Sequence, residues 1–239
     1  VESLAYRNTH SYYSLVTDNR MNPDDVAFSY HYGEDFQELI NYLDHTIAEI
    51  YPALDFRAEL GLGRTDNIQE LAEIAFFNIQ TGYFRSIDLY GNEEGDESAK
   101  YQKIFRRAKA AGLTLKAHVG EYGDPSSIVR TIEVLEIDEV QHGIQASQAK
   151  DVMRFLAENN ILLHICPSSN VKLGLVEPLQ KHPIRILYDN GVKVTINTDD
   201  YLIFKRSLTH EYLDLYNCGL FTAIELNEIR KNGLHLGGK

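Results

Sequence analysis

The sequence predicts an α/β fold: a (β/α)8 barrel of the TIM type, incomplete, with seven parallel strands and its first strand missing. Three observations predict it. Short apolar runs of strand length alternate with helical stripes along most of the 239 residues, the pattern of helices packed outside a parallel sheet. Four of those runs, LTLKA, IDEVQ, ILLHI and VKVTI, each lead into a small polar cluster. The clusters are His118-Val119-Gly120-Glu121, His142-Gly143, Cys166-Pro167-Ser168-Ser169-Asn170 and Asn197-Thr198-Asp199-Asp200. A barrel spreads its chemistry over the carboxyl ends of many strands. A doubly wound sheet concentrates it at one switch point, often beside a glycine-rich phosphate loop. Neither GxGxxG nor a P-loop occurs in this sequence, so the barrel is favoured.

In chain order, Val26 to Tyr32 (VAFSYHY) reads as the first strand. The helix over 34–51 then places Phe36, Leu39, Ile40, Leu43, Ile47 and Ile50 on one face, and Pro52 stops it. Phe56 to Leu62 is the second strand, and Asp66 an N-cap for a helix through Asn78. Phe84 to Leu89 is the third strand, followed by a helix over 98–111. After the fourth, Leu113 to His118, Asp124-Pro125 supplies a cap and a first-turn proline. Val140 to His142 is a short fifth strand, with a helix over 147–159. Ile161 to Cys166 is the sixth, with a helix over 183–190 closed by Gly191. Val192 to Asn197 is the seventh. Helices over 207–217 and 222–231 end the pattern, the second opened by the capping box Thr222 and Glu225. No internal repeat, low-complexity segment or linker divides residues 1–239, which read as one domain.

The bulk numbers narrow the partners. A formal net charge of −12 argues against nucleic acid, whose phosphates need a basic surface. A small uncharged molecule is compatible with it. No run approaches the roughly 18 apolar residues of a membrane span, and VESLAYRNTH has no basic start followed by an apolar stretch. Two cysteines, Cys166 and Cys218, cannot build a disulfide framework. A reducing, cytoplasmic setting is expected.

The clusters carry the chemistry. Gly120 lets the backbone turn sharply between His118 and Glu121, so both side chains can face one cavity. A neutral imidazole suits a metal, and a carboxyl of raised pKa can donate a proton. The plainer alternative is a packed strand-end histidine and a turn-capping glutamate. His142-Gly143 alone is compatible with a simple turn. Asp199-Asp200 ends a very apolar run, where two carboxylates are costly unless a cation or hydrogen bonds compensate them. A helix N-cap pair is the competing reading. Cys166 could be a thiolate nucleophile or a metal ligand, but it ends an apolar run, a common place for an inert buried thiol, and CPSSN fits better as a turn with hydroxyl and amide caps. The remaining histidines, His164 and His182 among them, read as core or surface residues.

In this order and at these spacings, IDLYGNE (87–93), HVGE (118–121), QHG (141–143), CPSSN (166–170) and NTDDYLIF (197–204) resemble the adenosine/AMP deaminase family of zinc-dependent barrel hydrolases. The resemblance covers roughly the last two-thirds of the chain. It implies one zinc ion, with His118 and Asp199 among its ligands. It implies that Glu121 shares a proton with the purine N1, and that His142 orients the attacking water and helps to deprotonate it. It implies that Asp200 accepts a hydrogen bond from purine N7 and that Gly91 meets the purine through its backbone. Attack at C6 would then release ammonia from a purine nucleoside, with adenosine preferred over AMP. The HxE…PCxxC signature of the other zinc deaminases is absent.

Two departures accompany the likeness. The family opens with an HxH motif that gives two further zinc ligands, and this chain has no HxH. Tyr201 stands where the family usually has proline. The sequence therefore reads as most of a deaminase barrel without its first metal-binding strand. The expectation is weak zinc binding by the isolated chain and self-association through exposed sheet edges. The competing readings are another aminopurine deaminase or metal-dependent hydrolase, and an inactive barrel kept as a binding protein.

Overall fold

A computed structural model describes residues 34–50, 52, 57–64, 67–95 and 97–234. Six strands form a single sheet in sequence order: β1 (Glu59–Gly63), β2 (Ser86–Tyr90), β3 (Thr114–Val119), β4 (Glu139–His142), β5 (Leu162–Ile165) and β6 (Lys193–Ile196). Every neighbouring pair is parallel. α1 (Glu34–Ile50) precedes β1. Between strands lie α2 (Ile68–Gln80), α3 (Gln102–Ala110), α4 (Ser126–Leu135), α5 (Lys150–Glu158), then the short α6 (Pro167–Lys172) with α7 (Ile184–Asp189). α8 (Tyr201–Phe204), α9 (Leu208–Asn217) and α10 (Ala223–Leu234) follow β6. This is the strand–helix succession of a partial TIM-type barrel. The structure contains six of the seven expected strands; Val26–Tyr32 lies outside the described residues.

Strand alternation explains the layering. Leu60, Leu62, Ile87, Leu89, Leu115, Ala117, Val119, Val140, Leu163, Ile165, Val194 and Ile196 are buried with helix residues such as Ile104, Phe105, Ile128, Leu156, Leu187, Leu215 and Ile229 in one core. Each large side chain moved from water contributes roughly 1.5–3 kcal/mol. The alternate positions carry Glu59, Ser86, Asp88, Lys116, His118, Glu139, Gln141, His164 and Thr195. Successive side chains point to opposite faces, so one face of the sheet is apolar and the other is polar. That division aims the chemical residues away from the helices.

Local capping accounts for the helix starts. Asn67 caps α2 through its side chain and the Glu70 N–H; the expected cap, Asp66, lies outside the described residues. The Asp124 carboxylate accepts from the Ser126 N–H at 2.9 Å and the Ser126 hydroxyl at 3.0 Å. At α10 the Glu225 N–H donates to Thr222 Oγ1 at 3.3 Å and the Thr222 N–H to Glu225 Oε2 at 2.8 Å, the reciprocal capping box. The helices expected to start at Ser98 and within 147–159 begin instead with 3₁₀ turns, Ser98–Tyr101 and Ile144–Gln148. Among the described residues no helix is long and apolar enough to cross a membrane.

Candidate active site and metal centre

The turn after β3 is built for one conformation. Gly120 has φ +73°, and a Cβ there would lie 2.4 Å from Ile128 Cδ1 and 2.6 Å from its Cγ1. Glycine is therefore required on both counts. The Glu93 carboxylate accepts from the Gly120 N–H at 2.7 Å and the Glu121 N–H at 3.2 Å. From the other side, the Gln145 N–H donates to the Gly120 carbonyl at 2.9 Å and the Gln145 amide to the Glu121 carbonyl at 3.2 Å. Arg64, just past β1, donates to the His118 carbonyl at 2.9 Å and the Gly91 carbonyl at 3.2 Å. Burial lowers the pKa of this guanidinium more than Glu93 and Asp88 raise it. Four strand ends, those of β1 to β4, are thus tied together beneath Glu121.

His118 Nδ1 lies 2.8 Å from Asp88 Oδ2. A carboxylate beside one ring nitrogen is the usual company of a histidine that gives its other nitrogen to a metal. The ring of His142 is tilted against that of His118 with centroids 5.1 Å apart. His142 Nδ1 stands 3.6 Å from Glu121 Oε1. His142 and Asp199 both adopt left-handed backbone angles, φ 62° and 58°. Such conformations are uncommon outside glycine and concentrate where function demands them.

The CPSSN segment does more than cap a turn. Pro167 opens α6, whose Ser168 N–H donates to Glu211 Oε2 at 3.0 Å. The Ser169 hydroxyl donates to Asp199 Oδ2 at 2.7 Å, and the Asn170 amide to Glu121 Oε1 at 3.3 Å. The Asp200 N–H donates to Asp199 Oδ1 at 2.8 Å. Asp200 stands at the N-cap position of α8 but makes no side-chain cap hydrogen bond, so the helix-cap reading holds for the backbone of the pair and leaves its carboxylates unexplained.

Ligand atoms of His142, Cys166 and Asp199 lie within 4.8 Å of one another. An imidazole, a thiol and a carboxylate suit a zinc-type ion. This grouping differs from the expected His118–Asp199 pair. Cys166 joins it, while His118 stands alongside with its ring against that of His142. Burial, with the charges of Asp199, Glu211 and Glu121, pushes the Cys166 thiol well above its ordinary pKa. Without a metal it stays protonated. Of the site residues expected from sequence, His118, Glu121, His142 and Asp199 come together at the carboxyl ends of β3, β4 and β6. Asp200 adjoins them through its backbone, and Gly91 is joined to the β3 end through Arg64. Asp88, Glu93, Ser169 and Asn170 went unread as site residues, although all four lie inside the motifs IDLYGNE and CPSSN.

Comparison with known proteins gives the same direction. The family model for adenosine deaminase matches residues 57–237. A Treponema pallidum (strain Nichols) protein provisionally named an adenosine/adenine deaminase is 36% identical over 200 residues, 84% of this chain and 67% of that protein. An adenosine deaminase of Clostridium acetobutylicum is 34% identical over 149 residues, 62% of this chain and 45% of that protein. The crystal structure of an adenine deaminase from Arthrobacter aurescens superposes with a TM-score of 0.76 at 25% identity, covering 83% of this chain and 61% of that one. The chain thus spans about half to two-thirds of the length of these relatives, and it belongs to the adenosine deaminase family.

Proposed function

We propose that the protein containing this chain is a zinc-dependent aminohydrolase that replaces the exocyclic amino group at C6 of a purine with oxygen. One observation carries the reading: Glu121, His142 and Asp199, from three different strand ends, converge with Cys166 on one buried spot beside His118. In this reading His118 and Asp199 hold the metal, with Cys166 and His142 close by. A zinc ion held there acts as a Lewis acid that makes water nucleophilic near neutral pH. His142 orients the attacking water and takes its proton. Glu121 supplies a proton to the ring nitrogen next to C6, so that the carbon becomes electrophilic. Asp200 and the backbone at Gly91 hold the purine edge. Ammonia leaves as the ring regains aromaticity.

The relatives' names divide between adenosine and adenine deaminases, which supports a purine but leaves the sugar to experiment. The test is ammonia release from adenosine, adenine and AMP, with zinc and after chelation. Release from adenosine or adenine that requires zinc is the expected result. Zinc uptake with no release from any of the three would favour a binding protein instead.

A further inference from the structure

We propose that His182 is a positioning residue for Glu121, acting through Asn170. His182 lies outside every motif that carries the family likeness, and it is 1% exposed. Its role follows from one backbone bond. The Ile184 N–H faces His182 Nδ1 at 3.1 Å. A backbone N–H can only donate, so Nδ1 must carry a lone pair. The ring is then neutral with its proton on Nε2. Burial lowers the pKa of this ring to about 4, which agrees with a neutral imidazole.

Nε2–H must therefore donate to the atom facing it at 3.3 Å, which is Asn170 Oδ1. That fixes the amide orientation, because only the oxygen can accept. The Asn170 NH2 group is turned the other way, toward Glu121 Oε1 at 3.3 Å. The relay runs Ile184 N–H to His182, His182 Nε2–H to Asn170, Asn170 N–H to Glu121. Each step is forced by the one before. Asn170 is fully buried, so no solvent reorients its amide.

The consequence falls on Glu121. Oε1 faces a donor whether the carboxyl is charged or neutral. Any proton that Glu121 carries therefore sits on Oε2. A flipped Asn170 would present its carbonyl to Oε1 and draw the proton onto the wrong oxygen. His182 prevents that flip, so it selects which oxygen of the acid delivers the proton. This kinetic role rests on the proposed deaminase reading; the tautomer does not.

Two measurements keep the two apart. Long-range ¹H–¹⁵N NMR of the unmodified chain should find His182 as the neutral Nε2–H form from neutral pH down to about pH 5, given its pKa of about 4. An Nδ1–H tautomer or an imidazolium at neutral pH would overturn the proposal, whatever the enzyme does. In the active full-length protein, His182→Phe should lower kcat on the order of tenfold with KM nearly unchanged, the mark of an interaction made in the transition state. His182→Gln, whose amide can still donate to Asn170, should recover most of that loss. Equal kcat in His182→Phe and the parent, or a His182→Gln variant as impaired as His182→Phe, would also overturn it. If the Phe variant does not fold, the NMR result decides alone.

Discussion

Two polar layers lie on the same face of the sheet, two residues apart along β3. Lys116 belongs to the lower one and His118 to the upper. In the lower layer the Lys116 ammonium lies 3.0 Å from Glu59 and 3.2 Å from Glu139. His164 Nε2 is 2.7 Å from Glu139, and its Nδ1 is 2.9 Å from the Thr195 hydroxyl. The Ser86 hydroxyl donates to Glu59 at 2.7 Å. All six described strands are linked and the charges are answered within the protein. Burial would raise the Glu139 carboxyl, but His164 and Lys116 overcome it and hold it at about 2. Burial likewise works against Lys116, yet Glu59 and Glu139 raise it above its ordinary value.

The upper layer is arranged differently. Glu121 and His142 stand 3.6 Å apart, beyond a good hydrogen bond. Ligand atoms gather within 4.8 Å, and two of the three residues involved sit on the strand-end loops, with His142 and Asp199 in costly backbone conformations. The difference separates a polar cluster that holds strands together from one whose geometry suits the proposed metal and substrate. Buried charge alone does not mark function; charge gathered around a common point on strained loops does.

The largest effect expected is on turnover. Glu121→Gln keeps the shape and the acceptor for Asn170 but cannot give a carboxyl proton. Deamination should fall by on the order of 10³-fold or more, while the urea midpoint scarcely moves. Next comes Lys116→Met in the lower layer, which strands two buried carboxylates. Chemical denaturation should show a loss of about 3–4 kcal/mol, with the zinc affinity per folded molecule little changed. A loss of activity without a loss of stability here would erase the distinction between the layers.

A third prediction concerns pH. The folded pKa of Glu139 is about 2 against an ordinary 4.5. A depressed carboxylate contributes stability that is complete above the ordinary value and is lost as pH falls through the folded one. Stability should therefore decline between about pH 4.5 and about pH 2 by roughly 3 kcal/mol from this group. Glu139→Gln should flatten that part of the curve in urea titrations at stepped pH. The smallest effect is expected from Ser169→Ala. Removing the hydroxyl that holds Asp199 Oδ2 should weaken zinc binding about tenfold, as for other partners of metal ligands, read by calorimetry.

The sheet was legible in the sequence because each strand keeps its apolar face in short β-rich runs bounded by helical stripes. Six runs end within three residues of the observed strands. The short helices α6 and α8 escaped because four to six residues show no periodicity. HVGE, HG and TDD stood out because imidazole and carboxylate at the end of an apolar run need explaining. Their supports did not. Arg64 reaches a carbonyl 54 positions away, and Glu93 the amides 27 and 28 positions away. Such partners meet only when neighbouring strands align. Ser169 and Asn170 looked like turn caps because hydroxyls and amides usually are. His164 read as a satisfied core histidine, and Glu139 and Thr195 satisfy it. His182 read the same way, yet its hydrogen bond leads on to the acid.

Anomalous diffraction from crystals soaked in a zinc salt tests the difference between the layers most directly. The predicted result is one zinc peak at the carboxyl ends of β3, β4 and β6, bound by Asp199 with His118, and with Glu121 nearby but not ligating. A peak among Glu59, Glu139 and His164, or a peak that persists in Asp199→Ala, would contradict the assignment of the upper layer as the metal and catalytic centre.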